Sequence, residues 1–276
     1  MKKRADKADK VGAVSTVGIV GMPPLEIISQ INKEQGEIVD LDEPQLALPI
    51  NRETHLPQVY CAILRTVMLN AMNMPLDQIY IDVGPGKCDC ALHVATVLQH
   101  LLTIPVNTTY NQDSQGFGYP LCQSGLPLLE KFQKITQGVQ FCTPPAPPAD
   151  YPYLAPTVGF WGVPPRDFAL LSLFPDSTHI YGWTRCMENK TPADLELESS
   201  YNPAVPTVFF AQSFCAKTAL AKHLAEQHPK ALYVDCDVNA SSSVQAKIEA
   251  FLEFSQDTSD ISATSAMRLG DDHALG

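Results

Sequence analysis

The chain contains two short apolar segments that begin and end in the same way. Residues 17–24 read VGIVGMPP and residues 158–165 read VGFWGVPP, so two glycines and two prolines recur at matching positions. A short apolar run before a Gly/Pro turn is typical of a buried strand that enters a loop. Neither copy completes the dinucleotide-binding pattern G-x-G-x-x-G, which favours a turn-shaping role over ligand contact. The repeat predicts two related halves.

Each copy of the repeat is followed by the same predicted order of elements. The polar and apolar pattern predicts a helix, a second strand, a later third strand, another helix and a fourth strand. The predicted first helix and later strands are 25–32, 37–41, 78–83 and 104–108 in the first half, and 166–174, 179–183, 207–212 and 231–235 in the second. Because strands that alternate with helices form parallel sheets, the predicted fold class is α/β, with two tandem doubly wound, Rossmann-like halves.

Proline marks the boundary between the halves. Residues 142–156 contain six prolines, which favours a stiff, extended linker. We therefore expect an N-terminal α/β half at residues 11–141, the linker at 142–156 and a C-terminal α/β half at 157–254. Residues 255–276 are rich in Ser, Asp and Thr without an apolar period, and we expect them to form a mobile tail.

Composition and charge exclude several classes of protein. The 276 residues are 45% hydrophobic and 18% charged, which is typical of a globular chain. The 19 Lys and Arg residues against 30 Asp and Glu give a formal net charge of -11, which repels the phosphate backbone of nucleic acids. No apolar run reaches the roughly 18 residues of a membrane span. The apolar residues 11–22 lead into prolines without a cleavage site, so we expect a cytoplasmic protein without a signal peptide.

The cysteines carry the candidate chemistry. In a chain of this size and regularity, its eight cysteines are expected to be thiols rather than disulfides. Cys88 and Cys215 follow corresponding strands of the two halves, and each stands before a predicted helix. Because ligands bind beyond the carboxyl ends of parallel strands, we expect these two thiols to face each other across a cleft. Cys61, at the start of another predicted helix, is a third candidate.

Other interpretations of the cysteines remain. A zinc site is disfavoured because the C-x₂-C pairs of such sites are missing. Cys88, Asp89, Cys90 and His93 form the one compact donor group. Free cysteines are often buried packing residues, and this is the favoured interpretation for Cys122, Cys142 and Cys236. Both interpretations stay open for Cys186.

Several segments, taken together, resemble subunits of the 2-hydroxyacyl-CoA dehydratase and benzoyl-CoA reductase family. Residues 232–237 (LYVDCD) and 243–253 (SVQAKIEAFLE) are similar to the family's strand, acidic turn and RIEAFLE helix. Residues 212–215 (QSFC) resemble its KFC segment, and residues 60–66 (YCAILRT) its CxxxRS segment. Residues 88–89 resemble its CD pair. The likeness is to the D component of 2-hydroxyglutaryl-CoA dehydratase, and it extends over most of residues 12–254.

The resemblance implies a [4Fe-4S] cluster held by Cys61, Cys88 and Cys215, with one iron free of protein thiolate. In the family, an ATP-dependent iron–sulfur activator delivers one electron, and the resulting ketyl radical eliminates water. The resemblance therefore implies an enzyme of anaerobic metabolism, either a dehydratase-like lyase or an iron–sulfur oxidoreductase. It also implies an acyl-CoA thioester substrate and a homodimer or a related second subunit.

The chain departs from the family pattern in two places. The family's helical middle segment, which contributes to the acyl-CoA pocket, is reduced here to residues 111–156, so we expect a compact form with an open substrate assignment. Cys90 is an extra thiol beside Cys88, and with Cys186 it is a candidate ligand of a larger cluster, such as the double-cubane centres of some relatives. Residues expected to surround the cluster are Lys87, Asp89, His93 and Gln212.

Different functions therefore stay open beside the enzyme. The alternatives are an electron carrier, a cluster-delivery or scaffold protein, a double-cubane reductase of small molecules, and a structural subunit that has lost its metal. Iron content and the response to acyl-CoA thioesters would separate them.

Overall fold

The computed structural model describes residues 14–144 and 148–268 and shows an α/β protein with two four-stranded parallel sheets. The fold class predicted from the sequence is confirmed. The first sheet has the order β2-β1-β3-β4, and the second repeats it as β6-β5-β7-β8. The strands are β1 Thr16–Val20, β2 Glu37–Asp40, β3 Gln78–Asp82, β4 Val106–Thr109, β5 Val158–Trp161, β6 Thr178–Tyr181, β7 Thr207–Gln212 and β8 Ala231–Cys236.

Helices cover both sheets. They are α1 Leu25–Lys33, α2 Ala62–Asn73, α3 Asp89–Leu101, α4 Leu128–Gly138, α5 Trp183–Asn189, α6 Leu195–Ser199, α7 Lys217–Gln227 and α8 Ser242–Arg268. Short 3-10 helices lie at Ile50–Arg52, Leu121–Gln123, Pro148–Asp150 and Phe168–Leu173. Within the described part of the chain, no helix combines the length and the apolar character needed to cross a membrane.

Two predicted elements differ from the structure. The helix expected over residues 166–174 is the 3-10 helix Phe168–Leu173, because Pro175 disfavours helical backbone at the residue before it. The strand expected over 179–183 ends at Tyr181, since Gly182, with a φ of 76°, turns the chain into α5. Helix α8 extends past residue 255 to Arg268, through a stretch without Gly or Pro, and the expected mobility of this stretch stays a prediction. Residues 269–276 lie outside the described residues.

The two halves share one hydrophobic core. A single cluster of buried residues contains side chains of β1 and of β5. Helix α4 precedes the predicted linker but packs on the second sheet: Lys131 Nζ donates to the carbonyls of Asp176 at 3.0 Å and Thr178 at 2.7 Å. The Phe132 ring meets the edge of Phe160, with 5.2 Å between the ring centroids. The packing therefore does not divide at the proline-rich segment.

Candidate functional site

Each sheet has a crevice at the same place in its topology. The chain runs from β1 to β2 on one side and then to β3 on the other, and the second sheet repeats this path from β5 to β6 and β7. Open parallel sheets bind ligands where the strand order reverses, beyond the carboxyl ends of the strands. Cys88 lies beyond the end of β3 and Cys215 beyond the end of β7. These two cysteines therefore occupy corresponding positions in the halves.

Three thiols lie within electrostatic range of one another at this crevice, each at the start of a helix. Cys61 and Cys88 immediately precede α2 and α3 with extended backbone, and Cys215 lies two residues before α7. The Cys61 thiol interacts electrostatically with the thiols of both Cys215 and Cys88, and Cys61 and Cys215 belong to the same apolar cluster. The positive partial charge of a helix N-terminus favours a thiolate. The structure thus brings together the three cysteines that the sequence singles out.

Burial dominates the protonation of these thiols. It raises the pKa of Cys61 to about 12, and the negative charges of Cys215 and Cys88 add to the shift. Burial also raises the pKa of Cys215, although the amide and ammonium groups of Lys217 act in the opposite direction. Because metal ligands must be deprotonated, binding of a metal centre would release protons from this site.

The two further candidate thiols lie in different surroundings. Cys90 belongs to the site: burial raises its pKa, as do a hydrogen bond with Cys88 and the negative charge of Cys215. Cys186 is fully buried in α5, and its Sγ donates to the carbonyl of Asp194 at 3.5 Å. The charges that act on Cys186 come from Asp194 and other side chains of the second half rather than from the three thiols.

The remaining cysteines make packing contacts. Cys122 is fully buried and its thiol is hydrogen-bonded to Glu188, and Cys236 is buried with its Sγ 3.3 Å from the carbonyl of Asn239. Cys142 is half-buried, and its Sγ lies 3.6 Å from the carbonyl of Leu25. These surroundings agree with the packing interpretation of the three thiols.

A tryptophan between two lysines joins the halves beside the crevice. Lys87 Nζ lies 4.1 Å and Lys217 Nζ 4.5 Å from the centre of the Trp183 ring. Lys87 also forms an ion pair with Asp82 at 3.1 Å, and Lys217 forms one with Glu198. Ammonium groups are attracted to the face of an indole, so this arrangement holds the loop after β3 against α5 and α7.

The other residues expected around a cluster divide into inner and outer positions. Gln212 is fully buried at the end of β7, and its Nε2 donates to the carbonyls of Cys236 at 2.8 Å and Asp237 at 2.7 Å. Its Oε1 has no hydrogen-bond partner among the described residues. Asp89 and His93 are exposed on α3. Gln212 and Lys87 therefore belong to the wall of the crevice, whereas Asp89 and His93 face outward.

Carboxylates line the neighbouring end of β2. Burial raises the pKa of Asp40 well above its usual range, and it also raises the pKa of Asp42 and of Glu43. Asp42 Oδ2 accepts the Gly21 amide at 2.7 Å, and Arg166 donates to the Asp42 carbonyl at 2.7 Å. A cavity of about 60 Å³ lies beside them. These carboxyl groups can hold protons close to the crevice.

The sequence reasoning missed Trp183, Lys217 and the carboxylates. Trp183 could have been found from its position in the repeat. It follows β6, and the corresponding strand of the first half, β2, is followed by the loop and helix that carry Cys61. Lys217 stands only two residues after Cys215. The acidic group is visible in the sequence as DLDE at residues 40–43, directly after an apolar strand.

The donors at the crevice are thiols. Within residues 14–144 and 148–268, no group of three or more His, Cys, Asp or Glu side chains could hold one metal ion. In a [4Fe-4S] cluster each thiolate binds a different iron, and the three thiols on separate helix starts are donors of the kind that such a cluster binds. Comparison with protein-family models and with curated proteins finds no match to this chain.

Proposed function

We propose that the chain is a cytoplasmic iron–sulfur protein that holds a [4Fe-4S] cluster through Cys61, Cys88 and Cys215. The observation that carries the proposal is the meeting of thiols from both halves at the crevice beyond the strand ends. Three cysteine ligands leave one iron without a protein thiolate, and when bound, such a cluster would supply one electron to a substrate at that iron. The proposed activity is dehydration or reduction of an acyl-CoA thioester, as the resemblance implies.

The chain's own residues would hold and tune the centre. The N-terminal ends of α2, α3 and α7 orient the three thiols. The Lys217 ammonium stabilises the thiolate of Cys215. Lys87 and Lys217 lie beside the crevice, but each is paired with a carboxylate, Asp82 and Glu198, which limits their effect on the charge of a bound centre. The apolar packing around Cys61 excludes water from one side of the site.

A non-catalytic electron carrier or cluster-delivery protein is the second candidate. Cys90 lies against Cys88, so a fourth thiol is available to close the remaining iron or to hold a larger cluster. Helix α4 comes from the segment that would wall an acyl-CoA pocket in the family, and it packs on the second sheet instead. Both observations support this second candidate.

The proposed partners follow from the same resemblance. The sequence contains no P-loop, so ATP would be used by a separate iron–sulfur activator protein. A second copy of the chain or a related subunit would complete the assembly. Anaerobic size-exclusion chromatography that gives the mass of a single chain would argue against this pairing.

Anaerobic purification and reconstitution with iron and sulfide test the cluster. We expect about four iron and four sulfide per chain, with a visible absorption band. Cys215→Ala should lose most of the iron, because it removes the one thiolate from the second half. Cys122→Ala makes the same chemical change at a buried thiol outside the three-cysteine group, hydrogen-bonded to Glu188, and it should keep the iron. A colourless, iron-free wild-type protein would contradict the proposal.

The same samples separate the two candidate functions. If the protein is an enzyme, an acyl-CoA thioester should change the electron paramagnetic resonance spectrum of the reduced wild-type protein. If it is a carrier closed by Cys90, the thioester should have no effect on the wild type, and Cys90→Ala should open the site and make the spectrum respond.

A further inference from the structure

A second cavity lies between the halves, beside α2 and the loop that follows β2. Its volume is about 520 Å³, which is in the usual range for small-molecule sites. Loop residues 44–50 and Leu69 of α2 give it an apolar wall. The opposite wall contains two arginines, one from each half, which are Arg65 on α2 and Arg166 after β5.

Both arginines are buried and keep hydrogen-bonding capacity. The Arg65 side chain is 10% exposed and the Arg166 side chain 4%. Arg65 donates from Nε to the Tyr60 carbonyl at 3.0 Å and from Nη2 to Asp237 at 2.8 Å. Arg166 donates from Nη1 to the Asp42 carbonyl at 2.7 Å. A guanidinium has five N–H groups, so these bonds leave donors for a ligand on each arginine.

The charge of the cavity differs from that of the whole chain. The protein carries a formal charge of -11, yet the cavity wall holds two arginines against one carboxylate, Asp237. The Asp237 side chain is 47% exposed, so its ion pair with Arg65 lies toward solvent. Glu43 pairs with Arg166 at 3.8 Å, and the Arg166 charge also acts on Asp40 and Asp42. Burial raises the pKa of all three carboxyl groups, so they compensate the buried guanidinium only in part.

We propose that this cavity binds a small aliphatic carboxylate, with its carboxylate group between Arg65 and Arg166 and its chain against the apolar wall. Guanidinium groups match the planar carboxylate with paired hydrogen bonds. The wall offers Leu46, Leu48 and Leu69 to an alkyl chain of about six carbons. Arg65 is one helical turn, about 6 Å along the axis, from Cys61, so the ligand would lie near the cysteine site. The proposal does not depend on a cluster.

Calorimetric titration of the full, reduced, iron-free chain tests the proposal with hexanoate as the probe. Hexanamide has the same length without the charge, and we expect it to bind at least about tenfold more weakly, because hydrogen bonds to charged groups are the stronger ones. Acetate, which lacks the alkyl chain, should also bind more weakly. Arg166→Gln should weaken hexanoate binding about tenfold or more.

Asp237→Asn is expected to strengthen hexanoate binding, the opposite of the effect expected for Arg166→Gln. Asp237 is half exposed, so its replacement by a neutral residue of equal size preserves the fold, and it frees Arg65 for the ligand. Hexanoate should then bind severalfold more tightly than to the wild type. This gain keeps the test decisive even if Arg166→Gln unfolds.

Three results would overturn the proposal. Equal binding of hexanoate and hexanamide would show an apolar pocket without anion recognition, and tighter binding of inorganic phosphate than of hexanoate would show a phosphate site. Absence of hexanoate binding would also reject it. Cys215→Ala should bind hexanoate like the wild type, so failure of the cluster proposal is distinguishable from failure of this one.

Discussion

The two halves repeat one topology but differ in what surrounds their strand ends. All six residues of β7 in the second half are buried, whereas two of the five residues of the corresponding β3 are partly exposed. The second sheet is also packed with aromatic rings, among which Phe160 and Phe210 stack at 5.8 Å and Trp161 and Phe209 lie 5.9 Å apart. The first sheet is packed mainly with aliphatic side chains. The second half is therefore the more closed of the two.

The repeated glycines show the same difference at the crevice. Gly162 follows β5, and a Cβ built on it would lie 2.5 Å from the Phe210 carbonyl oxygen. Gly21 follows β1, and the atoms nearest to such a Cβ are 3.6 Å away, on Asp82 and Lys87. One repeat thus gives a tight turn against backbone in one half and an open turn beside polar side chains in the other. The open half supplies three of the four thiols at the site, and the closed half supplies Cys215.

Alanine at the two glycines should give the largest contrast. Gly162→Ala should lower the free energy of unfolding by about 3 kcal/mol or more, because the new methyl group would overlap a carbonyl oxygen that cannot move freely. Gly21→Ala should cost only about 1–2 kcal/mol, the strain of a φ of 69° for a residue with a Cβ. Urea denaturation followed by circular dichroism measures both.

The contrast is sharp because the two substitutions are chemically identical. Equal losses for both variants would mean that the closed turn of the second half does not differ from the open one. A smaller loss at Gly162 than at Gly21 would reverse the comparison.

Lys131 tests whether α4 belongs to the closed half. Burial lowers the pKa of this lysine to about 8. The folded protein therefore binds fewer protons than the unfolded chain between about pH 8 and 10.5, so this residue adds stability as the pH rises through that window and removes it as the pH falls. The stability of the wild type relative to Lys131→Met should rise by about 1.5 kcal/mol between pH 8 and 9.5.

Lys134 on the same helix provides the control. Its side chain is 38% exposed and pairs with Glu130 one turn away, so Lys134→Met should leave the pH dependence unchanged. Comparing each variant with the wild type removes the contribution of buried thiols, whose raised pKa values act in the opposite direction in alkali. A flat difference between wild type and Lys131→Met would mean that α4 does not hold Lys131 buried on the second sheet.

The sequence carries those features that depend on local pattern. The strands follow from short apolar runs, and the parallel topology follows from their alternation with helices. Cys88 and Cys215 could be paired because each comes after a matching strand, and parallel strands place their carboxyl ends at one edge. Cys61 could be added because it opens a helical pattern.

Features that depend on contacts between distant segments could not be predicted. Helix α4 lies in the first half of the sequence but is fixed by Lys131 and Phe132 to the second sheet, and no local periodicity encodes that choice. The cation–π contacts of Lys87 and Lys217 with Trp183 likewise join residues from three separate segments. The same holds for the two arginines of the larger cavity. Tertiary packing decides these contacts, and single-sequence patterns do not report it.

The smallest expected effect lies beside Cys215. Phe214 is an aromatic residue that is 59% exposed and has a φ of 63°, a left-handed conformation that disfavours a residue with a Cβ. Phe214→Gly should therefore raise the free energy of unfolding by about 1 kcal/mol, since little buried surface is lost. Gln35 in the open half has a φ of 58° and is exposed, so Gln35→Gly should stabilise the protein by a similar amount.

Phe214→Gly and Gln35→Gly are expected to have similar stability but to differ in how well they retain iron. Residues held in strained backbone conformations cluster at functional sites. If Phe214 is kept in this conformation to aim Cys215 into the crevice, Phe214→Gly should loosen that turn and lose iron faster to a chelator, whereas Gln35→Gly should behave like the wild type. Equal rates of iron loss from both variants would mean that the strained backbone at Phe214 has no role in the site. A lower free energy of unfolding for Phe214→Gly than for the wild type would mean that the Phe214 ring is packed rather than free.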